Sequence, residues 1–581
     1  MSKNKPIKLS NKEGIHALIM ACWEFGVQDV VISPGSRNAP ITISFNQSGL
    51  FTCHSIADER VAGFYAMGMS LASSRPVAVV CTSGSAALNL APAIAEAFYQ
   101  KVPLIAITAD RPLAWTDQGN GQTIRQKGVY KNYIRDWYSL YSEPSCRDEI
   151  WMNRRRLSEC FNKATVSEKG PIHINVPLAE PLYGTKTYPL NVKPSFYKRI
   201  SAVKLPSEDT IKELSRRANQ AKRIMILVGQ SIPSSELQNL LVNWSELNNV
   251  VVLTETTSNA YVPKAVDTID RIVMSIKGMS LLKEMLPDVL ITCGGYIVSK
   301  KIKALLREFQ PDEHWHIDDT DESLDTFQSL TQEINCKPEP FLEAVFNEMR
   351  ESKSDYSEQW AHLKRIGEIA HEEYLQKIPF SDFSAFKNIL KSLKPGTVLH
   401  MANSTPVRYI QLFGYQKNLN YYGNRGTSGI DGSTSTAAGI AKKQTDKEHL
   451  LTTGDTAFLY DSNALWNREF PQNLKIVVIN NSGGGIFRII DGPDQIEELE
   501  EFFETYHEVD ISKLSEAFGF SYYLATNEKN LGQTLKEFDG SRGAAILEIK
   551  TKSDLNPEVL KDYFKFIRSR IEKELKQLIK K

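Results

Sequence analysis

Cysteine is scarce and unpatterned in this sequence. Its seven cysteines (Cys22, Cys53, Cys81, Cys146, Cys160, Cys293, Cys336) are odd in number and include no Cys-x-x-Cys pair. That argues against a disulfide framework or a structural zinc site and fits a reducing cytoplasm. An excess of one charge is also missing, since 69 Lys and Arg stand against 69 Asp and Glu. Nothing therefore points to nucleic acid or an anionic membrane as the main partner. No apolar run reaches the roughly 18 residues of a transmembrane segment. The start, Met1-Ser-Lys-Asn-Lys-Pro-Ile-Lys8, lacks the apolar core of a signal peptide. What remains is an ordinary globular composition, 41% hydrophobic and 24% charged. At 581 residues the chain is too long for one core.

The stretch with the most chemistry is Leu450-Leu-Thr-Thr-Gly-Asp-Thr-Ala-Phe-Leu-Tyr460 followed by Lys475-Ile-Val-Val-Ile-Asn-Asn-Ser-Gly-Gly-Gly-Ile-Phe487. Each half predicts a buried strand ending in polar and glycine residues. The first delivers Asp455, the second Asn480 and Asn481 and then Gly483 to Gly485. Adjacent parallel strands bring such loops together at their carboxyl edge, where ligands bind. A carboxylate, an amide oxygen and a free backbone carbonyl are hard ligands of the kind Mg²⁺ takes beside phosphates. Glycines would let the backbone approach such a phosphate. The plainer alternative is a buried strand pair with polar ends.

Upstream, strands and helices alternate. Asp29-Val-Val-Ile-Ser-Pro-Gly-Ser-Arg37 is a strand breaking into a turn, and Cys53 to Ser70 a strand entering a small-residue helix. Pro76 to Ser85 is a strand with a Gly-Ser loop before a helix from Ala87 to Phe98, Pro103 to Pro112 a further strand, and Pro171 to Pro177 the closing strand of the sheet. This alternation implies a parallel, doubly wound sheet. Glu59 falls in the first turn of a helix with apolar neighbours. The dipole alone favours a carboxylate there, but burial would raise its pKa and suit it to proton exchange. Arg37, Arg111 and Arg125 follow strands and together predict a carboxylate-reading pocket.

These residues carry a resemblance. Ser33-Pro-Gly-Ser-Arg37, Ala57-Asp-Glu-Arg-Val-Ala-Gly-Phe64, Thr82-Ser-Gly-Ser-Ala-Ala-Leu-Asn89, Ile107-Thr-Ala-Asp-Arg-Pro112 and Gln122-Thr-Ile-Arg-Gln126 occur in this order. The stretch resembles the pyrimidine-binding domain of thiamine diphosphate enzymes, and within that superfamily the 2-succinyl-5-enolpyruvyl-6-hydroxy-3-cyclohexene-1-carboxylate synthases. The likeness continues downstream. Strands are expected at Arg223–Gly229, Val250–Leu253, Val289–Gly295 and His314–Asp318, a Rossmann-like middle whose lack of Gly-x-Gly-x-x-Gly argues against dinucleotide binding. A charged helix from Ser357 to Gln376 links to the last domain. There, Thr397 to Arg408 predicts a strand running into a polar loop, and the glycine-rich Asn420 to Gly432 precedes a small-residue helix from Ser433 to Ala441. Such loops cradle anions.

The resemblance implies an α/β chain of three doubly wound parallel-sheet domains: pyrimidine-binding 1–183, linker 184–206, Rossmann-like 207–375 and diphosphate-binding 376–581. It implies thiamine diphosphate with Mg²⁺ (or Mn²⁺), the metal held by Asp455, Asn481 and the Gly483 carbonyl. Glu59, Ser404, Ile430 and Gly454 would complete the cofactor site, with Ile430 propping the cofactor's bent form. Glu59, Arg37 and Gln122 are the implied catalytic residues. Ser36, Arg37, Arg111, Asn120, Gln122, Lys300, Lys301, Arg408, Arg425, Ile486 and Phe487 are the implied substrate contacts. The implied activity is decarboxylation of 2-oxoglutarate and 1,4-addition of the resulting succinyl unit to isochorismate, in menaquinone biosynthesis. It implies a homodimer or homotetramer with sites between subunits.

Departures are visible. Gly454-Asp455-Thr456 replaces Gly-Asp-Gly, and Gly121 stands where an Asn is familiar, with Asn120 one position earlier. Lys301 stands where Arg is familiar and Gly485 where Gln is. Acetohydroxyacid synthases and 2-oxoacid decarboxylases are the nearest alternatives. A non-catalytic scaffold of the same fold would be marked by loss of Glu59 or Asp455, and both are present. The Lys-rich tail from Leu560 to Lys581, with Tyr563, Ile567, Ile571, Leu575 and Leu578 on one stripe, predicts a helix packed on the surface.

Overall fold

Runs of Val, Ile and Leu make the strands, and most are buried on both faces, as parallel sheets covered by helices require. The computed structural model describes residues 6–166, 168–189, 196–489, 492 and 495–579. Three parallel sheets are present. The first orders its strands Thr52–Ser55, Asp29–Ile32, Val77–Cys81, Leu104–Asp110, Ile172–Pro177 and Asp136–Ser139. The second runs Val250–Thr254, Ile224–Val228, Val289–Cys293, Glu313–Ile317 and Gln332–Ile334. The third runs Asn420–Tyr422, Val398–Met401, His449–Gly454, Leu474–Asn480, Ala545–Lys550 and Ser521–Ala525. The first and third share one winding order, so they are two copies of a single topology.

Several local expectations need correction. Pro171 to Pro177 does not close its sheet, because Asp136–Ser139 lies outside it. That edge strand, Asp-Trp-Tyr-Ser, is mostly half-buried and has no apolar run to betray it. The helix after the Gly-Ser loop is two helices, Ser85–Asn89 and Ala91–Tyr99, the second with Pro92 in its first turn. Arg408 sits on a helix, Thr405–Gln411, again begun with a proline. The apolar residues after Asp455 form the helix Asp455–Tyr460, on which the sequence made no prediction. Inside the stretch read as linker, Thr185–Tyr188 pairs antiparallel with Ile7–Ser10.

The chain divides into two compact units. One comprises Met1–Ala202, Asn424–Glu448 and Ala457–Leu474, and the other the remainder, including the second and third sheets. In the first unit the helix Glu59–Ser73 lies backbone to backbone on Ser433–Lys443. A Cβ on Gly68 would stand 2.2 Å from the Thr436 carbonyl oxygen, and one on Gly439 2.1 Å from that of Tyr65. Gly439→Ala should therefore force the helices apart, at about 1 to 3 kcal/mol for overpacking. Its melting midpoint should fall clearly in thermal unfolding. Gly540→Ala, where a Cβ meets nothing within 4 Å, should not fall. An unchanged midpoint for Gly439→Ala would refute this packing.

In the second unit the long helix Leu555–Ile579 buries Tyr563, Ile567 and Ile571 in the core. The Tyr563 hydroxyl accepts from Arg271 Nε at 3.0 Å and meets His371 Nδ1 at 2.9 Å. Leu575 packs partly buried against the same core, while the Leu578 side chain lies outside the described residues. Among the described residues no helix is long and apolar enough to cross a membrane.

Candidate active site

The shared winding order creates a reversal point in each of the two similar sheets. In the third sheet it lies between Val398–Met401 and His449–Gly454, whose chains leave toward opposite edges. The carboxyl ends of these strands open into Ser404 and Asp455, where ligands of doubly wound sheets bind. In the first sheet the corresponding ends open into Ser33–Arg37 and Thr82–Gly84.

In the second unit, Asp455 is buried. Its Oδ1 accepts the Thr456 N–H at 2.6 Å and its Oδ2 the Gly483 N–H at 3.0 Å. The two strand-end loops are thus tied together through this carboxylate. Asn481 donates through Nδ2 to Asp382 Oδ2 at 3.1 Å. Its Oδ1 is buried and accepts no hydrogen bond among the described residues. The Gly483 carbonyl accepts the Gly485 N–H at 3.0 Å and keeps a second lone pair. A carboxylate, an orphaned amide oxygen and a carbonyl fit a hard cation completed by phosphate oxygens. The glycines have a reason closer to hand than a ligand. A Cβ on Gly483 would stand 2.6 Å from the Glu504 carbonyl oxygen, and one on Gly485 2.8 Å from Asn481 Nδ2. His507, absent from the sequence reading, places Nε2 3.4 Å from Asp455 Oδ2, and that carboxylate raises its pKa.

The same unit holds a cavity of about 1030 Å³ lined by Lys300, Lys301, Arg408, Ile486, Arg488 and Asp270, among others. Lys300 opens the helix Lys300–Glu308, whose cap, Ser299, accepts the Ile302 N–H. The Glu255 carboxylate accepts the N–H groups of Val298 and Ser299, each at 2.7 Å, and so fixes the approach to the two lysines. Arg408 Nη1 donates to the Ser404 carbonyl. Burial lowers the Arg408 pKa against the opposing pull of Asp270. Ser404 adopts φ 76°, a left-handed conformation that a non-glycine residue holds only under constraint. Phe487 packs edge-on against Phe503, ring centroids 5.4 Å apart.

The first unit carries the other candidates. Glu59 opens its helix behind the Asp58 cap, which accepts the Val61 N–H at 3.1 Å. Burial raises the Glu59 pKa, and the nearby Asp58 charge adds to the shift. Arg37 is buried, donating to the Leu178 carbonyl at 3.0 Å and pairing with Glu180 at 3.1 Å. Burial and then the Arg111 charge lower its pKa. Ser36, Asn120 and Gln122 are exposed, Gln122 at φ 57°. Arg125 points to solvent, paired with Asp117 at 2.8 Å. Arg425 is buried and Ile430 exposed. Glu96, also unread in the sequence, is buried and accepts the Gly426 and Thr427 N–H groups at 2.7 and 2.6 Å. It pins the loop next to Arg425. No spacing rule could find it, because the partners are 330 and 331 positions away.

Fold and site together define a thiamine diphosphate-dependent enzyme. Residues 12–129 match the N-terminal TPP binding domain of thiamine pyrophosphate enzymes, 197–399 their middle domain and 404–549 their C-terminal TPP binding domain. The chain is 42% identical over 550 residues to the 2-succinyl-5-enolpyruvyl-6-hydroxy-3-cyclohexene-1-carboxylate synthase of Flavobacterium psychrophilum, covering 94% of this chain and 98% of that one. It is 40% identical to the synthase of that name in Christiangramia forsetii (97% and 100% covered) and 39% to that in Porphyromonas gingivalis (96% and 98%). The chain belongs to the 2-succinyl-5-enolpyruvyl-6-hydroxy-3-cyclohexene-1-carboxylate synthase family.

Proposed function

We propose that the protein decarboxylates 2-oxoglutarate and adds the succinyl unit to isochorismate, supplying menaquinone biosynthesis. The observation that carries this substrate choice is the gathering of Lys300, Lys301 and Arg408 around one cavity. A monocarboxylate such as pyruvate needs no such set of cations, whereas two carboxylate-rich substrates do.

When bound, thiamine diphosphate supplies the carbon nucleophile and the electron sink for loss of carbon dioxide. The protein's own residues do the rest. Asp455, Asn481 and the Gly483 carbonyl would hold the Mg²⁺ that fastens the diphosphate, with Ser404 and Gly454 beside it and Ile430 backing the ring system. Glu59 would hold and release a proton at its carboxyl, facing the aminopyrimidine. Arg37, Arg111 and Arg425 would read substrate carboxylates, with Ser36, Asn120 and Gln122 orienting the substrate by hydrogen bonds. Lys300, Lys301 and Arg408 would act in the same way in the second unit, with Ile486 and Phe487 as apolar walls. The domain bounds 1–183, 207–375 and 376–581 are those of this reading. So is a homodimer or larger assembly in which two chains complete each site. All seven cysteines are free thiols, in keeping with a cytoplasmic setting.

The test is consumption of isochorismate in the presence of 2-oxoglutarate, with and without thiamine diphosphate and Mg²⁺. Loss of isochorismate that needs both cofactors is expected, and pyruvate should not replace 2-oxoglutarate. Consumption of pyruvate with no use of isochorismate would transfer the chain to another thiamine diphosphate activity. No cofactor-dependent consumption of isochorismate would refute the assignment.

A further inference from the structure

Asp382 is a fully buried carboxylate that the metal site does not use directly. It starts the helix Asp382–Ser392, yet that helix end is already capped: the Ser381 hydroxyl accepts the Ser384 N–H, and the Ser384 hydroxyl accepts the Ser381 N–H. A further buried charge is not needed for capping and is expensive to place. Its oxygens are instead shared between two neighbouring strand ends of the third sheet. Oδ1 accepts the Thr551 hydroxyl at 2.5 Å, just past Ala545–Lys550. Oδ2 accepts Asn481 Nδ2 at 3.1 Å, just past Leu474–Asn480. Its own N–H donates to Asn556 Oδ1 at 2.9 Å.

An Asn amide has a donor end and an acceptor end of nearly the same shape, and only its partners decide which way round it sits. An ionised carboxylate can only accept. Facing Asp382, Asn481 must present its nitrogen, so its oxygen turns the other way. That oxygen is the one left buried without a donor. A buried acceptor in this state is unfavourable unless something fills it. The site of Gly485 closes a further side, since a Cβ there would stand 2.8 Å from Nδ2 and 3.3 Å from Oδ1.

We infer that Asp382 is a positioning residue for the metal: it fixes the Asn481 amide with its oxygen turned away from Asp382, ready to ligate. The inference rests on the Mg²⁺–diphosphate reading above. Asp382→Asn removes the rule that sets the amide. With one NH₂ and one oxygen facing Thr551 and Asn481, it can donate to the Asn481 oxygen and draw it off the metal.

The test is isothermal titration of Mg²⁺ into protein saturated with thiamine diphosphate, for wild type, Asp382→Asn, Asn481→Asp, the double variant and Thr551→Val. Asp382→Asn should bind Mg²⁺ about 10- to 100-fold more weakly, the range found for groups that orient metal ligands. Thr551→Val removes the other contact to the same carboxylate. It should lower the melting midpoint while leaving Mg²⁺ affinity within about twofold, a split that a merely structural role for Asp382 would not give. Asn481→Asp sets two carboxylates face to face and should also lose affinity. The double variant Asp382→Asn with Asn481→Asp restores one donor against one acceptor. It should bind at least about tenfold better than Asn481→Asp alone. Wild-type affinity in Asp382→Asn overturns the inference. Should that variant fail to fold, a double variant no better than Asn481→Asp overturns it equally. A wild-type protein that binds no Mg²⁺ with thiamine diphosphate present refutes the cofactor reading itself, and the inference with it.

Discussion

Glu59→Gln should cut turnover by about 10²- to 10⁴-fold, the contribution of a positioned acid–base group. The substitution keeps volume and hydrogen-bonding capacity but cannot give up a proton. Glu59 is suited to that work by its surroundings. It opens a helix whose next residues, Val61, Ala62 and Phe64, are buried. Burial first, and the Asp58 charge next, keep its carboxyl protonated to higher pH than an ordinary glutamate. Because the folded-state pKa is raised, protonation favours the folded protein, and the proton is lost as pH climbs through the raised value. Binding should survive the substitution. The groups assigned to the diphosphate and metal are Asp455, Asn481 and Gly483, all in the other compact unit. The expected signature is a collapse of kcat at saturating cofactor with the thiamine diphosphate Kd changed by less than about tenfold, since only one of several contacts is altered. Wild-type turnover in this variant would remove Glu59 from the mechanism.

What the sequence disclosed follows from which forces act locally. Interior strands such as Ile224-Met-Ile-Leu-Val and Val289-Leu-Ile-Thr-Cys are largely apolar, because both faces are covered. Several strands left no such mark. Asp136–Ser139 and Gln332–Ile334 are sheet edges, and Ile7–Ser10 and Thr185–Tyr188 form a two-stranded ribbon outside the main sheets. Thr-Lys-Thr-Tyr is nearly all exposed, and its pairing is set by a strand from the far end of the domain. Pro406 looks like a loop residue, but like Pro92 it sits in the first turn of a helix, where a missing N–H is no loss.

The site divides in the same way. Glu59, Asp455 and Asn481 were legible because motif, strand end and residue type coincide within a few positions. The groups that hold them were not. Glu96 meets Gly426 and Thr427, Asp382 meets Asn481 across 99 positions, and His507 meets Asp455 from beyond the next strand. Each is an ordinary acidic or imidazole side chain in its local sequence. Only the fold turns it toward a loop that needs a fixed partner. Read without those partners, Gly483 and Gly485 were assigned to phosphate approach, whereas their closest neighbours are the Glu504 backbone and the Asn481 amide.

Asp455→Asn should abolish most cofactor-linked stabilisation, with only a modest loss of stability in the cofactor-free protein. The two halves of this expectation have separate causes. In the cofactor-free protein, the single oxygen of Asp455→Asn can accept only one of the Thr456 and Gly483 N–H groups, which Asp455 accepts on separate oxygens at 2.6 and 3.0 Å. The carboxylate's pairing with His507 is lost, but so is its repulsion of Asp382, whose pKa Asp455 helps to raise. One N–H is left facing an NH₂, so a loss of about 1 to 3 kcal/mol is expected, the cost of one unsatisfied buried donor. With cofactor the balance is one-sided. A divalent cation beside a diphosphate depends on the charge of its one protein carboxylate. Thiamine diphosphate with Mg²⁺ at 100 times its Kd should stabilise wild type by about 2.7 kcal/mol, and a 100-fold weaker Kd leaves about 0.4 kcal/mol at the same concentration. Melting curves of both proteins, with and without thiamine diphosphate and Mg²⁺, measure all four states. A structural carboxylate would lower both curves together. A ligand to the metal removes the cofactor-induced shift as well, so an Asp455→Asn protein that still gains the full shift would take the metal away from this residue.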